Sequence, residues 1–486
     1  MKRRKVIKQI GLGLSAGLVL PGWLSSCSED DPAPVTGYQG TVAIIGAGAA
    51  GLYAADILKA QGIRIVIFEA SDRVGGRVRT LKSSDNESAA LLFNSQSELS
   101  SDFPNELGTT QVLGSDSAWG KIVSALKLST VNLSSTTSDN YFLDNAFVEG
   151  SVAQTDPDFI AAKNFFDNLS TNSGTGTVQQ AVVAAGMSPR MYAILNSWIA
   201  NKLGTKNDRL GMKALAEGLA LVKRNSDLLI LSDNPMQDAL LSRFSNVVED
   251  VELNSEVKEV NYVGEKVIIN GVKTGTAESF SMEADRVIVT VPVSILKNGG
   301  ISFTPALPSA KTSALSLMSM DATIRVLLDF KANFWGVSSG FIYGGVQAPE
   351  YFNSGAGRSD LMKTLSVTIG GDKAAELSLM GKGMITPLIQ ELDCIFDGKA
   401  TVHIRKDVND KDIAVIQDWS LEPFIKGGSS YLKPGGTNQD RINLAAKVNN
   451  KLFFAGEATD VNGEAGNLNG ALLSAERAAL EVLESI

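Results

Sequence analysis

Gly46-Ala47-Gly48-Ala49-Ala50-Gly51 follows directly on the apolar, β-branched run Thr41-Val42-Ala43-Ile44-Ile45, and few folds accommodate that junction. The run suits a strand buried on both faces. A helix-length segment, Leu52 to Ala60, comes next; Gly62 ends it, and a second apolar run from Ile63 to Phe68 closes on Glu69. This is a complete βαβ unit. Its first glycine makes the turn, Gly48 lets backbone amides approach a pyrophosphate at a helix N-terminus, and Gly51 allows helix to pack on strand, with Ala49 among the cofactor-binding residues. Glu69 lies 18 residues beyond Gly51, where a carboxylate can accept from the ribose hydroxyls of an adenosine. A dinucleotide site at the start of an α/β fold is the reading.

The residues that follow choose between nicotinamide and flavin dinucleotides. Arg73-Val74-Gly75-Gly76-Arg77-Val78-Arg79-Thr80 continues from the second strand. It resembles the arginine and double-glycine signature of the flavin amine oxidase and polyamine oxidase family, which implies FAD, with Gly76 in the turn and Arg77 over the pyrophosphate, where a guanidinium contacts two oxygens at once. Further segments match the same family in order. Glu106-Leu107-Gly108-Thr109-Thr110-Gln111 resembles the loop that brings backbone to the flavin, through Gly108 and Thr109. Val251 to Val260 with Ala284 to Pro292 resembles the second nucleotide-side segment, where Val257 would meet the adenine, and Ile301 to Pro308 resembles the lead-in to the substrate sheet. Trp419, Gly427-Gly428, Phe454-Ala455-Gly456-Glu457-Ala458 and Gly470 to Ala479 complete the series. Apolar positions Leu472, Ala475, Ala479 and Leu483 recur at helical spacing, so a last helix is expected with Gly466, Asn467 and Leu468 at its N-terminal side. In the family that terminus faces the flavin pyrimidine, where it stabilises negative charge. Glu457 would accept from cofactor hydroxyls.

The resemblance implies a discontinuous Rossmann-like FAD-binding domain, residues 40–115, 235–297 and 445–486, and an α+β substrate domain, residues 116–234 and 298–444. The first of these substrate segments reads as largely helical, the second as strands with one long helix from Ala374 to Ile395. Ser83 to Ser101 reads as a serine-rich surface loop.

The pocket positions depart from the family. Ser429 and Asn467 stand where monoamine oxidases place a pair of aromatic rings, with Tyr431 either supplying one side or simply packing. Arg325, on the run Thr323 to Phe330, takes the place of a lysine that holds a water near the flavin. It keeps the charge but cannot act as a base, leaving electrostatic help to the reduced flavin or to an anionic substrate, or a structural role. Gln111 replaces the arginine that holds the carboxylate in amino-acid oxidases, and Leu113 and Gly114 stand where polyamine oxidases often carry an acid or histidine. The single histidine, His403, falls on an alternating, strand-like stretch and reads as non-catalytic, which excludes histidine triads and histidine metal sites. The family's covalent flavin attachment needs a cysteine near the last segment, and none is present, so the FAD would be non-covalent. Cys394 reads as a small buried apolar residue of an amphipathic helix.

Ahead of the folded part, Lys2-Arg3-Arg4-Lys5, an apolar stretch from Ile10 to Leu20 and Leu24-Ser25-Ser26-Cys27 resemble a bacterial lipoprotein signal, with Cys27 as the lipidated residue and residues 28–39 as a tether. The apolar stretch is short for a spanning helix, and Arg3-Arg4 before Val6-Ile7-Lys8 also resembles a twin-arginine export signal. The expected location is therefore the cell envelope. Formal net charge is −9, becoming −14 without the five bases of residues 1–26; nucleic acid is an unlikely partner for such a surface. The function expected is two-electron oxidation of a small organic molecule, an amine among the possibilities, with oxygen or a quinone as acceptor. The alternatives are a desaturase-like or porphyrinogen-oxidase-like flavoenzyme and a non-catalytic FAD-holding protein.

Overall fold

The structure is a computed structural model that describes residues 37–95, 99, 105–358 and 363–486. Cys27, the leader and most of the tether lie outside the described residues. Among those described, no helix is long and apolar enough to cross a membrane.

The buried run Thr41–Ile45 becomes the central strand of a five-stranded parallel sheet in the order Leu452–Phe454, Arg286–Val289, Thr41–Ile45, Arg64–Phe68, Val251–Glu252. Burial on both faces accounts for its lack of polar alternation. The first helix, Ala49–Ala60, and the last, Leu468–Leu483, pack together on one face. Small side chains on the contact, Ala54, Ala55, Ala475 and Ala479, let the two axes approach closely around Leu52, Leu58 and Leu472. The other face carries a four-stranded sheet, Ser279–Ala284, Val267–Lys273, Ser255–Asn261 and Ser302–Thr304.

A second layer is an eight-stranded mixed sheet whose centre holds Thr323–Asp329 between Ala414–Asp418 and Thr364–Gly370, both antiparallel to it. Ile324, Val326 and Leu328 point to one face, where Ile385, Leu388 and Leu392 of the helix Ile385–Ile395 cover them. Strand alternation then sends Arg325 and Leu327 to the opposite face, towards the dinucleotide side.

Several sequence expectations are corrected. The segment Ile301–Pro308 does not lead into the substrate sheet; Ser302–Thr304 pairs with Glu259–Asn261 in the nucleotide-side sheet. Within Ser83–Ser101, Leu91–Phe93 forms an edge strand on Val415–Gln417, because its apolar residues cover the sheet's end. The span 116–234 is not helical throughout: Ser138–Leu143 and Ala146–Glu149 extend the eight-stranded sheet. The long helix from Ala374 to Ile395 is broken into Asp372–Ser378, a 3-10 turn at Gly381–Met384 and Ile385–Ile395. Gly381, at φ +53°, takes a left-handed conformation that a helix cannot run through. His403 ends a short helix, Lys399–His403, rather than lying on a strand. Cys394 is exposed, not buried, because the helix turns it to the solvent side while Leu392 and Ile395 face inwards.

Candidate active site

Two cavities lie between these layers. The narrower, of about 320 Å³, is lined by the glycine loop, Glu69, Gly76, Val257, Gly456 and Glu457. The wider, of about 880 Å³, runs from there towards the helices of residues 166–222 and includes Gly108, Arg325 and Trp419. They meet on a common floor of Arg77, Thr109, Ser429, Gly466, Asn467 and Leu468.

The narrow cavity has the features a bound pyrophosphate needs. Gly46 adopts φ +110°, and a Cβ on Gly51 would lie 1.9 Å from the Gly46 carbonyl oxygen, so neither position admits a side chain without moving backbone. Gly48 is different: a Cβ there would meet no protein atom within 4 Å, so the space beside it is open. Gly48 is the N-cap of the first helix, its position supplies no side-chain hydrogen bond, and no acid stands in the first turn. The positive end of that helix is therefore left for an anion. Gly75 lays the second loop against the first, its N–H donating to the Ala47 carbonyl at 2.9 Å. Glu69 braces the loop by accepting from Ala47 N at 2.8 Å on one oxygen and from Ser71 N and Oγ at 2.9 and 2.7 Å on the other. That leaves one of its roughly four lone-pair positions for a ligand hydroxyl.

Arg77 and Glu457 stand at the join. Arg77 Nη1 donates to Gly428 O and to Glu457 Oε1, each at 2.8 Å. Glu457 also accepts from Ser430 N at 3.2 Å, Ser430 Oγ at 2.6 Å and Gly466 N at 2.9 Å. Four donors reach the carboxylate, so Glu457, expected to accept from cofactor hydroxyls, lines the narrow cavity and also clamps Arg77, Ser430 and Gly466 together. Burial pushes its carboxyl up, but the Arg77 and Arg441 charges and the Ser430 hydroxyl outweigh that and hold it below the usual range. Asn467 caps the last helix by accepting from Asn469 N and Gly470 N, and Leu468 opens it.

On the wide cavity, Gly108 lies so close to the second loop that a Cβ would fall 1.9 Å from Arg77 O. Trp419 Nε1 donates to Leu107 O at 3.0 Å, tying the same loop from the other side. Arg325 donates from Nη1 to Ser366 Oγ and from Nη2 to Gly108 O, both at 3.1 Å. Burial draws its pKa down, from a starting point so high that it stays charged. Ser429 and Asn467 do face the join, with Ser429 Oγ donating to Gly466 O at 2.8 Å. Tyr431, on a two-stranded ribbon, lines the wide cavity and is fixed by its hydroxyl donating to Asp321 Oδ2 at 3.0 Å.

Other polar groups were not signalled by any motif. Lys202 lines the cavity, pairs with Glu350, and lies over the rings of Phe341 and Tyr343 at 4.7 and 5.0 Å from their centroids. Asp139 beside them is pushed up to about 6 by burial. Arg224 pairs with Glu464 at 2.8 Å. These partners come from separate helices and strands, so no local spacing marks them.

Glu106 gives a pH-dependent expectation. It is buried, accepts from Met236 N at 2.8 Å and Thr80 Oγ1 at 2.6 Å, and burial pushes its carboxyl from 4.5 up to about 7. A carboxyl with a raised folded pKa binds more protons folded than unfolded, so its contribution to stability falls as pH rises from 4.5 to 7. The loss is on the order of 3 kcal/mol. Glu106→Gln keeps the Met236 N contact on its amide oxygen, turns the Thr80 Oγ1 contact round so that the amide NH2 donates, and cannot ionise. Denaturant titrations at pH 5 and pH 8 should show the variant gaining on the wild type by about 1–3 kcal/mol at the higher pH; equal differences at the two pH values would contradict the shift.

A glycine cradle open to an anion, joined through a floor that carries Arg77 to a larger chamber, is the layout of a dinucleotide-binding fold with a second cavity beside the dinucleotide site. Residues 187–483 match the model of the flavin containing amine oxidoreductases, and residues 44–103 that of an NAD(P)-binding Rossmann-like domain. The chain belongs to the flavin containing amine oxidoreductase family. It is 24% identical over 507 residues to lysine-specific histone demethylase 2 of Homo sapiens, covering 96% of this chain and 56% of that protein. With lysine-specific histone demethylase 1 homolog 3 of Arabidopsis thaliana identity is 25%, over 91% of this chain and 30% of that one. The chain thus spans about a third to a half of the length of these relatives. Among solved structures, the fold superposes on putrescine oxidase bound to putrescine with a TM-score of 0.73 at 19% identity, and on cyclohexylamine oxidase from Brevibacterium oxydans IH-35A with 0.72 at 18%; in both cases 92% of this chain and 99% of the other are covered.

The cofactor of the family, FAD, fits the residues present. Gly46, Gly48 and the first helix would hold its pyrophosphate, Glu69 and Val257 its adenosine end, and the shared floor its ring system.

Proposed function

We propose that this protein is an FAD-dependent oxidoreductase that removes two electrons from a small organic substrate, an amine-type compound within the family's chemistry, with oxygen or a quinone as the final acceptor. The observation that carries this reading is the shared floor, which places the end of the dinucleotide cradle against an 880 Å³ chamber large enough for a substrate. FAD when bound supplies the two-electron acceptance. The chain's own part is to bind and orient. Gly108 and Trp419 fix the loop beneath the floor, Arg77 is held in place by Glu457, and apolar residues such as Leu203, Leu210, Ala214 and Leu215 line the chamber and keep it poor in water.

The FAD is held non-covalently: Cys394, the one cysteine among the described residues, lines neither cavity. Purified protein should be yellow, should release its flavin on denaturation, and should be bleached anaerobically by at least one member of a panel of amines, amino acids and aromatic reductants. A folded but colourless protein would sink the reading; flavin that dithionite reduces and no panel member does would favour a holding role instead.

The address is part of the same proposal. Basic residues 2–5, the apolar stretch and Leu24-Ser25-Ser26-Cys27 support export and lipid attachment at Cys27, and so a place in the cell envelope. Metabolic labelling with an alkyne fatty acid should tag the wild type and miss Cys27→Ala; label persisting on the variant would remove the anchor from the proposal.

A further inference from the structure

Three of the five cations lining the wide cavity are ion-paired. Of the cations lining it, Arg77 pairs with Glu457, Lys202 with Glu350 and Arg224 with Glu464. Arg441 donates to Ser430 Oγ and Ala458 O within the field of Glu457 and Asp460. Arg325 has no carboxylate within ion-pairing distance among the described residues; it lies in the longer-range field of Glu350, which is already paired with Lys202, and of Glu106, and its two hydrogen bonds go to the neutral acceptors Ser366 Oγ and Gly108 O. A guanidinium carries five N–H donors. Two are used, and Nε–H with one further N–H on each terminal nitrogen remain, on a side chain that lines the chamber next to Gly108 and Thr109. Thr368, directly across the ladder from Arg325 and also on the cavity wall, keeps a buried Oγ1 with no partner. A buried cation without a counterion is costly unless an anion completes it.

The acids on the same wall show the reverse. Among the described lining residues only Asp167 and Asp460 are acidic. Asp167 is bonded to Lys163 at 2.5 Å, half exposed to solvent, and Asp460 accepts from Asn462 N at 3.0 Å and Glu464 N at 2.7 Å. Neither offers an unengaged carboxylate beside the floor, and Ser429 and Asn467 offer no ring face for a cation to lie on. A charged ammonium entering the chamber therefore meets no counterion at the floor, whereas a carboxylate meets Arg325.

We propose that Arg325, with Thr368 Oγ1 beside it, is the anchor for a carboxylate on the substrate, so that the site selects a small carboxylic acid bearing the oxidisable group over a cationic diamine or polyamine. The proposal rests on the FAD oxidoreductase reading and narrows its substrate class. Bidentate contact from a guanidinium would fix the acid end on the strand Thr323–Asp329 and leave the rest of the molecule on the floor formed by Thr109, Ser429 and Asn467.

The test is ligand binding to the oxidised, FAD-loaded full chain, where the flavin is uncharged and cannot itself be the anion that Arg325 serves. Benzoate and benzylamine, matched in size and opposite in charge, are titrated while the flavin absorption band is followed. Benzoate is expected to perturb the band and to bind at least tenfold more tightly than benzylamine. Arg325→Gln should raise the benzoate Kd roughly ten- to a hundredfold and leave benzylamine within a factor of three, with Arg325→Lys in between. Wild-type preference for benzylamine, or a benzoate Kd unmoved by Arg325→Gln, would overturn the proposal. If Arg325→Gln does not retain flavin, the wild-type comparison decides alone. A yellow protein that amines bleach but benzoate does not perturb loses only the anchor; a colourless one loses the oxidoreductase reading with it.

Discussion

Gly51→Ala is expected to abolish flavin retention and to destabilise the fold, whereas Gly48→Ala should abolish retention alone. The added Cβ at Gly51 would fall 1.9 Å from a backbone carbonyl of the loop and 3.3 Å from Thr290 Oγ1, so strand and helix must separate to admit it. Overpacking of this kind costs about 1–3 kcal/mol. At Gly48 the backbone is extended at φ −77°, a conformation alanine adopts freely, and the new methyl meets no protein atom within 4 Å. It would stand in the space where the pyrophosphate approaches the helix. Melting curves of the apoproteins, paired with flavin content after gel filtration, separate the two effects. Gly48→Ala should melt with the wild type, within about 0.5 kcal/mol, while holding FAD at least roughly tenfold more weakly. Unchanged flavin content in Gly48→Ala would mean that the cofactor does not lie against this loop.

Glu457→Ala should be the more destructive change to the floor. It leaves Arg77 half-buried without its counterion and removes the acceptor for Ser430 N, Ser430 Oγ and Gly466 N together. Removing one partner of a buried pair costs about 3–5 kcal/mol, and Glu457→Gln, which keeps the shape and the hydrogen bonds to one of the two oxygens, should cost less. The pH dependence has a defined sign. The folded carboxyl titrates below its ordinary value, so its contribution is complete above the unfolded pKa of about 4.3 and is lost as pH falls through the folded one. Acid unfolding of the wild type should therefore include a component that Glu457→Gln lacks. Chemical denaturation between pH 3 and pH 7 would show it as a difference that shrinks towards the acid end; a difference constant across that range would argue against the ion pair.

The cradle was legible in the sequence because its geometry is local. Gly46 to Gly51, the flanking strands and Glu69 sit within 30 residues, with Gly46 required by its positive φ, Gly51 by the Gly46 carbonyl beside it and Gly48 by the open space it borders. The last helix was legible for the same reason, through the 3.6-residue spacing of Leu472, Ala475 and Ala479. What escaped depends on residues far apart in the chain. Lys202 meets Glu350 across 148 residues, and Lys202 lies on a 3-10 turn that carries no periodic signal. The clamp at Glu457 escaped for the same reason, because its donors come from three separate segments, with Arg77 far from it in the chain. Cys394 shows a subtler limit: an amphipathic helix is visible from its apolar residues, but one position decides which side a neutral residue takes, and Leu388, Leu392 and Ile395 define an inner face that leaves it out. His403 and the break at Gly381 depended on turn conformations that composition does not specify.

The strand order of the parallel sheet sets a timetable for assembly. Thr41–Ile45 and Arg64–Phe68 are neighbours in sequence and can pair as soon as both exist, but Arg286–Val289 pairs with the first strand from more than 240 residues away, and Leu452–Phe454 joins later still. During synthesis the glycine loop can form on a sheet that still lacks one side, while Gly456, Glu457 and the Gly466–Leu468 floor emerge about 400 residues later. Contacts so distant in sequence slow folding, and they make nucleotide capture a closing event. A ligand that bridges the early loop and the late floor would act as a stitch between segments far apart in the chain, adding RT ln(1 + [L]/Kd) to the stability of the fold.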